Sequence, residues 1–401
     1  MLDAYIYDGV RTPFGRHAGG LAAVRSDDLL THVIKTLAAR NVFNHQLIED
    51  VVVGVTNQAG EDCRNVARMA GLMAGLPIET GGVTLNRLCG SSMAALLDAA
   101  RAVTVGDGAF YIVGGVESMS RAPFVMAKAE GAYSRNMEIY DSTIGARFPN
   151  PALISAFGND AMPETADNVA KDLNISREDS DIFAAASQAK YAAAKTRGYF
   201  KDEIVPVEVS QGRKKPPLII SEDEHPRPES TVDKLAALKA LYEGGVVTAG
   251  NASGINDGAV ALLIGSKQAG EKAGLKPRAR ILAGAIAGVP PRVMGLGPVP
   301  ASAKALARAG LSLAQMDVLE LNEAFATQVL GCLKSMQLPF NDQRVNPNGG
   351  AIAIGHPLGA SGARIALTAL RQLEASKGRY ALATMCIGVG QGIATVIERL
   401  D

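Results

Sequence analysis

The chain has 401 residues, 47% of them hydrophobic and 20% charged, and its 40 basic side chains balance 40 acidic ones. Such a length supports a sizeable core in two or three domains. The even charge excludes recruitment of nucleic acid or an anionic membrane by bulk electrostatics, so an anionic ligand would need a local cation.

In chain order, the charged start Met1-Leu2-Asp3 lacks the basic-then-apolar layout of a signal peptide. Residues 5–8 read as a strand and 9–20 as a loop holding Arg11, Pro13, Arg16 and His17. Apolar positions at Leu29, Leu30, Val33, Ile34 and Leu37 predict a helix over 29–39. The all-apolar run 51–55 is that of a strand buried on both faces of a parallel sheet. A helix is expected over 65–74, an extended run over 82–85, a helix over 93–101 and another buried strand over 110–116. Strands alternating with helices argue for a doubly wound α/β layer.

From about residue 117 to 250 the pattern becomes loop-rich and more polar, with a capping box at Ser176-Arg177-Glu178-Asp179 opening a helix that stops at Gly198. This reads as an inserted subdomain. A buried strand follows at 259–264. The region 281–300 is the most apolar, but Pro290, Pro291 and Arg292 prevent it from crossing a bilayer as a helix. Helices at 303–309 and 326–336 then alternate with strands at 318–321, 380–384 and 393–397. Three units are expected: 1–120 with 251–272, an inserted loop domain over 121–250, and 273–401.

The last unit reads as a copy of the first. A helix, Asp50 and a strand lead to Cys89 before a helix; a helix, Asp317 and a strand lead to His356 before a helix. Both acid-to-junction separations are 39 residues. Such ordered similarity argues for a duplicated α/β half, and two packed halves would bring Cys89 and His356 to one central site.

Cys89 ends a strand-to-helix junction, Asn86-Arg87-Leu88-Cys89-Gly90-Ser91-Ser92-Met93. There the unpaired amides of the helix are expected to lower the thiol pKa and favour the nucleophilic thiolate. The bland reading is a small buried apolar residue. His356 lies among Gly355, Pro357 and Gly359 and would serve as the base for Cys89; a structural histidine is the competing reading. Cys386, in Cys386-Ile387-Gly388-Val389-Gly390-Gln391-Gly392, reads as a second thiol on a glycine-opened loop just after a strand, able to move a proton to or from carbon. Those glycines are not a dinucleotide fingerprint, because too few residues follow for a crossover helix and strand. Asn322 ends a strand, where it either holds a water or oxyanion or caps the next helix. The four cysteines (63, 89, 332 and 386) lack the paired spacing of a zinc or redox site, so no metal is expected and free thiols in the cytoplasm are.

Taken together, Asn86 to Ser91, Gly114-Gly115-Val116-Glu117-Ser118-Met119-Ser120, Gly250-Asn251-Ala252-Ser253-Gly254, Asn322-Glu323-Ala324-Phe325, Gly355-His356-Pro357 and the Cys386 stretch resemble the thiolase family, in family order and across nearly the whole chain. Residues 58–62, 64–70 and 141–145 most resemble 3-oxoadipyl-CoA thiolases. The resemblance implies two duplicated halves in a five-layered αβαβα stack, an inserted loop domain over the site, and a homotetramer built from dimers. It implies coenzyme A and acyl-CoA as substrates with no permanently bound cofactor. Cys89 would carry the acyl group, His356 activate it, Cys386 protonate the departing acetyl-CoA carbanion, and Asn322 hold a water at the thioester oxygen. The amides of Cys89 and Gly388 would hold the acyl oxygen. Ser253, Arg227, Met162, Met294, Ala324 and Phe325 would line the CoA and acyl channel, with core packing as the plainer reading of the methionines. Arg213-Lys214-Lys215 reads as a solvated turn.

Two departures stand out: Ser92, where the family usually has glycine, is expected to crowd the pocket, and Ala146 replaces a tryptophan of close relatives. A dicarboxylic chain needs a cation for its far end, with Arg147 and Arg121 as candidates. The alternatives are an acetoacetyl-CoA or broad-range 3-ketoacyl-CoA thiolase and, more remotely, a non-catalytic acyl-CoA-binding protein. A decarboxylating condensing enzyme is disfavoured, because that chemistry uses a second histidine and His356 is alone in the C-terminal half.

Overall fold

The computed structural model describes residues 1–400. In the first half, β1 (Ala4–Arg11), β2 (Ile48–Gly54), β3 (Val83–Leu85) and β4 (Phe110–Ser118) are separated by α1 (Ser26–Arg40), α2 (Val66–Met73) and α3 (Ser91–Val105). The loop-rich region carries a hairpin of β5 (Phe124–Met126) and β6 (Ile139–Asp141) and the long helix α4 (Arg177–Thr196), which opens on the expected Ser176 capping box. Next come β7 (Asn256–Gly265), β8 (Ala279–Gly288), α5 (Pro298–Ala309), β9 (Val318–Leu321), α6 (Ala326–Ser335), α7 (Leu358–Ser376), β10 (Tyr380–Ile387) and β11 (Gln391–Arg399).

The strands form one continuous order, β9-β10-β11-β8-β1-β7-β4-β2-β3. It is mixed rather than purely parallel. β2 runs parallel to β3 and β4, but β7 is antiparallel to both β4 and β1, and β11 is antiparallel to both β8 and β10. The two half-sheets are joined where Ala4, Tyr5 and Ile6 of β1 pair with Ile281, Arg280 and Ala279 of β8. Between them α3 and α7 pack together, burying Met93, Leu96, Leu97, Ala363, Leu367 and Leu370 from solvent. α1 and α2 cover the outer face of the first half, α5 and α6 that of the second. The order of layers is therefore α, β, α, β, α. The window Leu88–Val105 is apolar and long enough to cross a membrane; in the fold α3 is the core helix between the half-sheets.

One expected loop is strand instead. β1 continues through Arg11, whose charge is neutralised by distant partners: Nε bonds Glu203 at 2.7 Å and Nη1 bonds Asp223 at 2.6 Å, all three fully or nearly buried. Removing one member of such a buried set leaves an uncompensated charge, costing about 3–5 kcal/mol.

Candidate functional site

The backbone around Cys89 is held in a strained turn. Leu88 has φ 47°, a region that costs a branched side chain roughly 1–3 kcal/mol. Its amide donates to Asn86 Oδ1 at 2.9 Å, and its carbonyl accepts from Ser91 Oγ at 2.6 Å, while Ser91 Oγ also accepts from the Arg87 amide at 2.8 Å. These bonds swing Cys89 out of the strand and start α3 at Ser91. A second left-handed residue, Val389 with φ 61°, turns the chain from β10 into β11 just after Gly388. The amide of Gly388 donates to the Cys89 sulfur, so the two strained turns meet at one hydrogen bond.

Cys386 is not on the loop but inside β10, paired with Gly392 of β11. It is buried in an apolar cluster with Ala252, Met294, Ala324 and Phe325, close enough to Cys89 for the two sulfurs to feel each other's charge. One strand away, Leu321 pairs with Thr384, and the Asn322 amide donates to Thr384 O at 3.0 Å. Asn322 does not cap α6, whose N-cap is Phe325. Its Nδ2 instead lies 3.3 Å from His356 Nε2, and its buried Oδ1 has no partner among the described residues.

His356 enters from Gly355, which has φ 108° and leaves no room for a Cβ beside Asn256. Asn256 Oδ1 accepts from the His356 amide at 2.9 Å. The ring Nδ1 is 2.6 Å from Ser361 Oγ, and that hydroxyl is 2.9 Å from Pro357 O. The serine's single proton goes to the carbonyl, so the network assigns the ring proton to Nδ1 and leaves Nε2 bare, facing Asn322. Burial, with a lesser push from the Arg364 charge, drives the imidazole down to about 3 and keeps it neutral.

Glu117, at the end of β4, links these parts. Its carboxylate accepts from the amides of Thr56 (3.1 Å), Asn57 (3.1 Å) and Gly359 (2.8 Å), the last three residues after His356. Burial pushes this acid up to about 7 against the pull of those donors. Its charge reaches Cys89. Gly388, Glu117 and Cys386 thus surround Cys89, and Asn322 faces His356, although among the described residues Cys89 and His356 are not hydrogen-bonded to each other.

The structure corrects two expectations here. The Cys89 thiol is pushed up to about 11, not down: desolvation outweighs the amides of Gly388 and of Cys89 itself, and Glu117 adds to it. Ser92 does not crowd the pocket. It is fully buried and its Oγ accepts from the Ala363 amide of α7 at 2.9 Å, tying the two central helices together.

Among the remaining predicted residues, the Ser253 amide donates to Ala324 O at 2.9 Å, and Ala252 bridges to Phe325, so Ser253, Ala324 and Phe325 share one wall with Met294 and Cys386. Met162 is partly exposed, its sulfur next to Gly388. Arg227 stands apart on the surface, its Nη1 folded onto the carbonyls of Glu224, His225 and Pro226. The neighbouring His225 ring packs on Gly254, which links that loop to Ser253. Glu323 is structural: its oxygens accept from Ser187 Oγ, Asn346 Nδ2 and the Ile352 amide. A cleft of about 730 Å³ lined by Asp160, Glu164, Asp167 and residues 242–246 contains none of the sulfur or imidazole groups.

Sequence reasoning missed Ser361, Glu117, Asn256 and Ser91. Each holds a reacting group's backbone or ring in place, and the only sequence signal was proximity to a glycine-flanked junction.

Residues 4–268 match the thiolase N-terminal domain and residues 275–399 the thiolase C-terminal domain. The chain is 58% identical to the 3-oxoadipyl-CoA/3-oxo-5,6-dehydrosuberyl-CoA thiolase of Escherichia coli K12, covering 100% of both chains. It is 57% identical to a beta-ketoadipyl-CoA thiolase of Acinetobacter baylyi, again over 100% of both. The human mitochondrial 3-ketoacyl-CoA thiolase, solved in complex with CoA, superposes with a TM-score of 0.91 at 37% identity, over 100% of this chain and 98% of that one. With the Cys386 thiol close to the Cys89 thiol and both domains matched in order, the chain belongs to the thiolase family.

Proposed function

We propose that this enzyme cleaves 3-oxoadipyl-CoA with CoA to give succinyl-CoA and acetyl-CoA, by way of a succinyl thioester on Cys89. The substrate reading rests on full-length relatives that carry this activity in their names. The observation that carries the chemistry is the pair of neighbouring thiols, Cys89 under the Gly388 amide and Cys386 near enough to sense its charge, together with the buried, neutral His356 imidazole facing Asn322.

In this mechanism His356 Nε2 takes the Cys89 proton as sulfur bonds to the 3-oxo carbon. The oxygen becomes an oxyanion that the Gly388 and Cys89 amides receive. Its collapse breaks the C2–C3 bond, and the electron pair moves to C2 of the acetyl-CoA enolate. Cys386 gives C2 a proton, and a water held by the free Asn322 Oδ1, together with His356, stabilises the enolate oxygen. CoA thiol then displaces the acyl group from Cys89, so turnover is ping-pong. A high thiol pKa suits this sequence: charge appears only when an acceptor carbonyl is present, at donors already aimed there.

CoA is proposed to run from Arg227 past Ser253 and Met294 to the sulfurs, because Gly254 contact and the Ser253–Ala324 bond connect those residues into one wall. A homotetramer in the cytoplasm is likewise proposed. The exposed apolar hairpin residues Phe124, Met126 and Ile139 support self-association, since apolar surface of that kind seeks a partner.

The test separates the two half-reactions. Cys89→Ala should abolish both CoA-dependent loss of 3-oxoadipyl-CoA and formation of a succinyl-enzyme. Cys386→Ala should lose carbon–carbon cleavage while Cys89 still exchanges succinyl groups between CoA molecules. Carbon–carbon cleavage at the wild-type rate in Cys386→Ala would defeat the assignment.

A further inference from the structure

We infer that Arg147 is the specificity residue that receives the distal carboxylate of a dicarboxylic acyl chain, an inference that rests on the substrate reading above. In 3-oxoadipyl-CoA that carboxylate lies three carbon–carbon bonds beyond the carbon that Cys89 attacks, roughly 4 Å of chain. The receiving cation must therefore belong to the same edge of the sheet as the nucleophile and carry no acid of its own.

Arg147 meets both conditions. Its Nη1 donates to Asn57 Oδ1 at 3.2 Å and to Ser142 O at 3.1 Å, two uncharged acceptors. Asp62, the acid that senses its field, is turned onto the Gly60 amide at 3.1 Å. Asn57 in turn belongs to the framework of the site. Its amide donates to Glu117, and the carbonyl of its neighbour Thr56 accepts from Asn86 Nδ2 at 3.0 Å, three residues before Cys89.

Among the described residues the half-buried guanidinium leaves Nε and Nη2 without a hydrogen bond, yet not sealed from solvent. That is the fork a carboxylate binds in bidentate fashion. Gly145 and Ala146 precede it with almost no side-chain bulk, which leaves the approach open. The other nearby arginines are engaged. Arg121 grips Glu61 with Nε at 2.7 Å and with Nη2. Arg87 donates to Gln391 Oε1 at 3.1 Å, and its Nε is buried from solvent, so it presents no open Nε–Nη2 fork.

The readout is the ratio of kcat/KM for 3-oxoadipyl-CoA to that for 3-oxohexanoyl-CoA, which has the same length and a methyl end. The ratio is independent of how much enzyme is folded. Arg147→Gln should lower it about 10- to 100-fold, the scale of a lost charge-assisted hydrogen bond pair, with Arg147→Lys in between and Arg87→Gln at the wild-type value. A wild-type ratio near one would sink the substrate reading and this assignment with it. A wild-type ratio well above one that survives Arg147→Gln, or that collapses in Arg87→Gln, would sink the assignment alone.

Discussion

Ser361 holds His356 by a 2.6 Å contact between its hydroxyl and the ring Nδ1, and it does so one helical turn into α7. The bond decides which nitrogen of the ring is basic toward the substrate. Ser361→Ala frees the ring to turn and to carry its proton on Nε2. We expect kcat to fall about 10- to 100-fold, matching the loss of one buried hydrogen bond of about 1–3 kcal/mol, with KM for CoA nearly constant. Steady-state kinetics check this, and Ser361→Thr, which keeps the hydroxyl, should recover most of the rate. An unaltered kcat in the alanine variant would show that the ring orients itself without help.

Gly355 sets the path of the chain into that ring. A Cβ there would lie 2.5 Å from Asn256 Cγ, in a backbone conformation with φ 108°. Gly355→Ala should therefore cost about 2–4 kcal/mol in urea unfolding and reduce activity beyond the loss of folded protein. Gly106→Ala is the control, since its φ of 83° is equally left-handed but nothing lies within 4 Å of the new methyl. Its cost should be about 1 kcal/mol. Equal costs at both sites would refute the role given to Asn256.

Ser92 is predicted to matter for stability more than for rate. Ser92→Ala strips the acceptor from the Ala363 amide in a fully buried setting, at a cost of about 1–3 kcal/mol. Chemical denaturation should show the midpoint move down while kcat changes less than threefold, by about 0.6 kcal/mol or less. A large rate effect with unchanged stability would restore the idea that this side chain acts in the pocket.

The alkylation of Cys89 should follow its displaced pKa. With the thiol pushed up to about 11, the thiolate fraction of the free enzyme grows with pH across the whole neutral and alkaline range. With the imidazole down at about 3, no imidazolium exists above about pH 4 to hold a thiolate at lower pH. The iodoacetamide rate constant is therefore expected to climb about tenfold per pH unit between 7 and 10 without levelling. A plateau reached below pH 8 would mean a preformed ion pair.

Much of the layered fold could be read in advance, because the apolar runs at β2, β4 and β7 are buried on both faces and leave an uninterrupted signal. The gathering of Cys89, Asn322 and Cys386 is readable for a related reason, since each stands at or beside a strand end; His356 instead sits in the turn between a short helix over Ala351–Ile354 and α7. The charge on Arg11 hid the length of β1, since its acids lie 192 and 212 residues away. Ser361 and Ser92 looked like ordinary helix residues, as their partners come from turns and helices elsewhere in space. The direction of the Cys89 shift is not legible in the sequence because a helix end is local and visible, whereas burial, which raises the thiol pKa, comes from the packing of the whole fold.

The short ladder between residues 4–6 and 279–281 is the seam at which the duplicated halves are sewn into one sheet. Severing the polypeptide in the 266–278 stretch would give two pieces, each with a raw strand edge and a greasy helix flank that water penalises. Neither piece would own a full set of reacting groups, since one carries Cys89 and the other His356 and Cys386. Separately expressed fragments should thus be inert alone and regain turnover only when they anneal, and an ancestral single copy could have worked only as a pair.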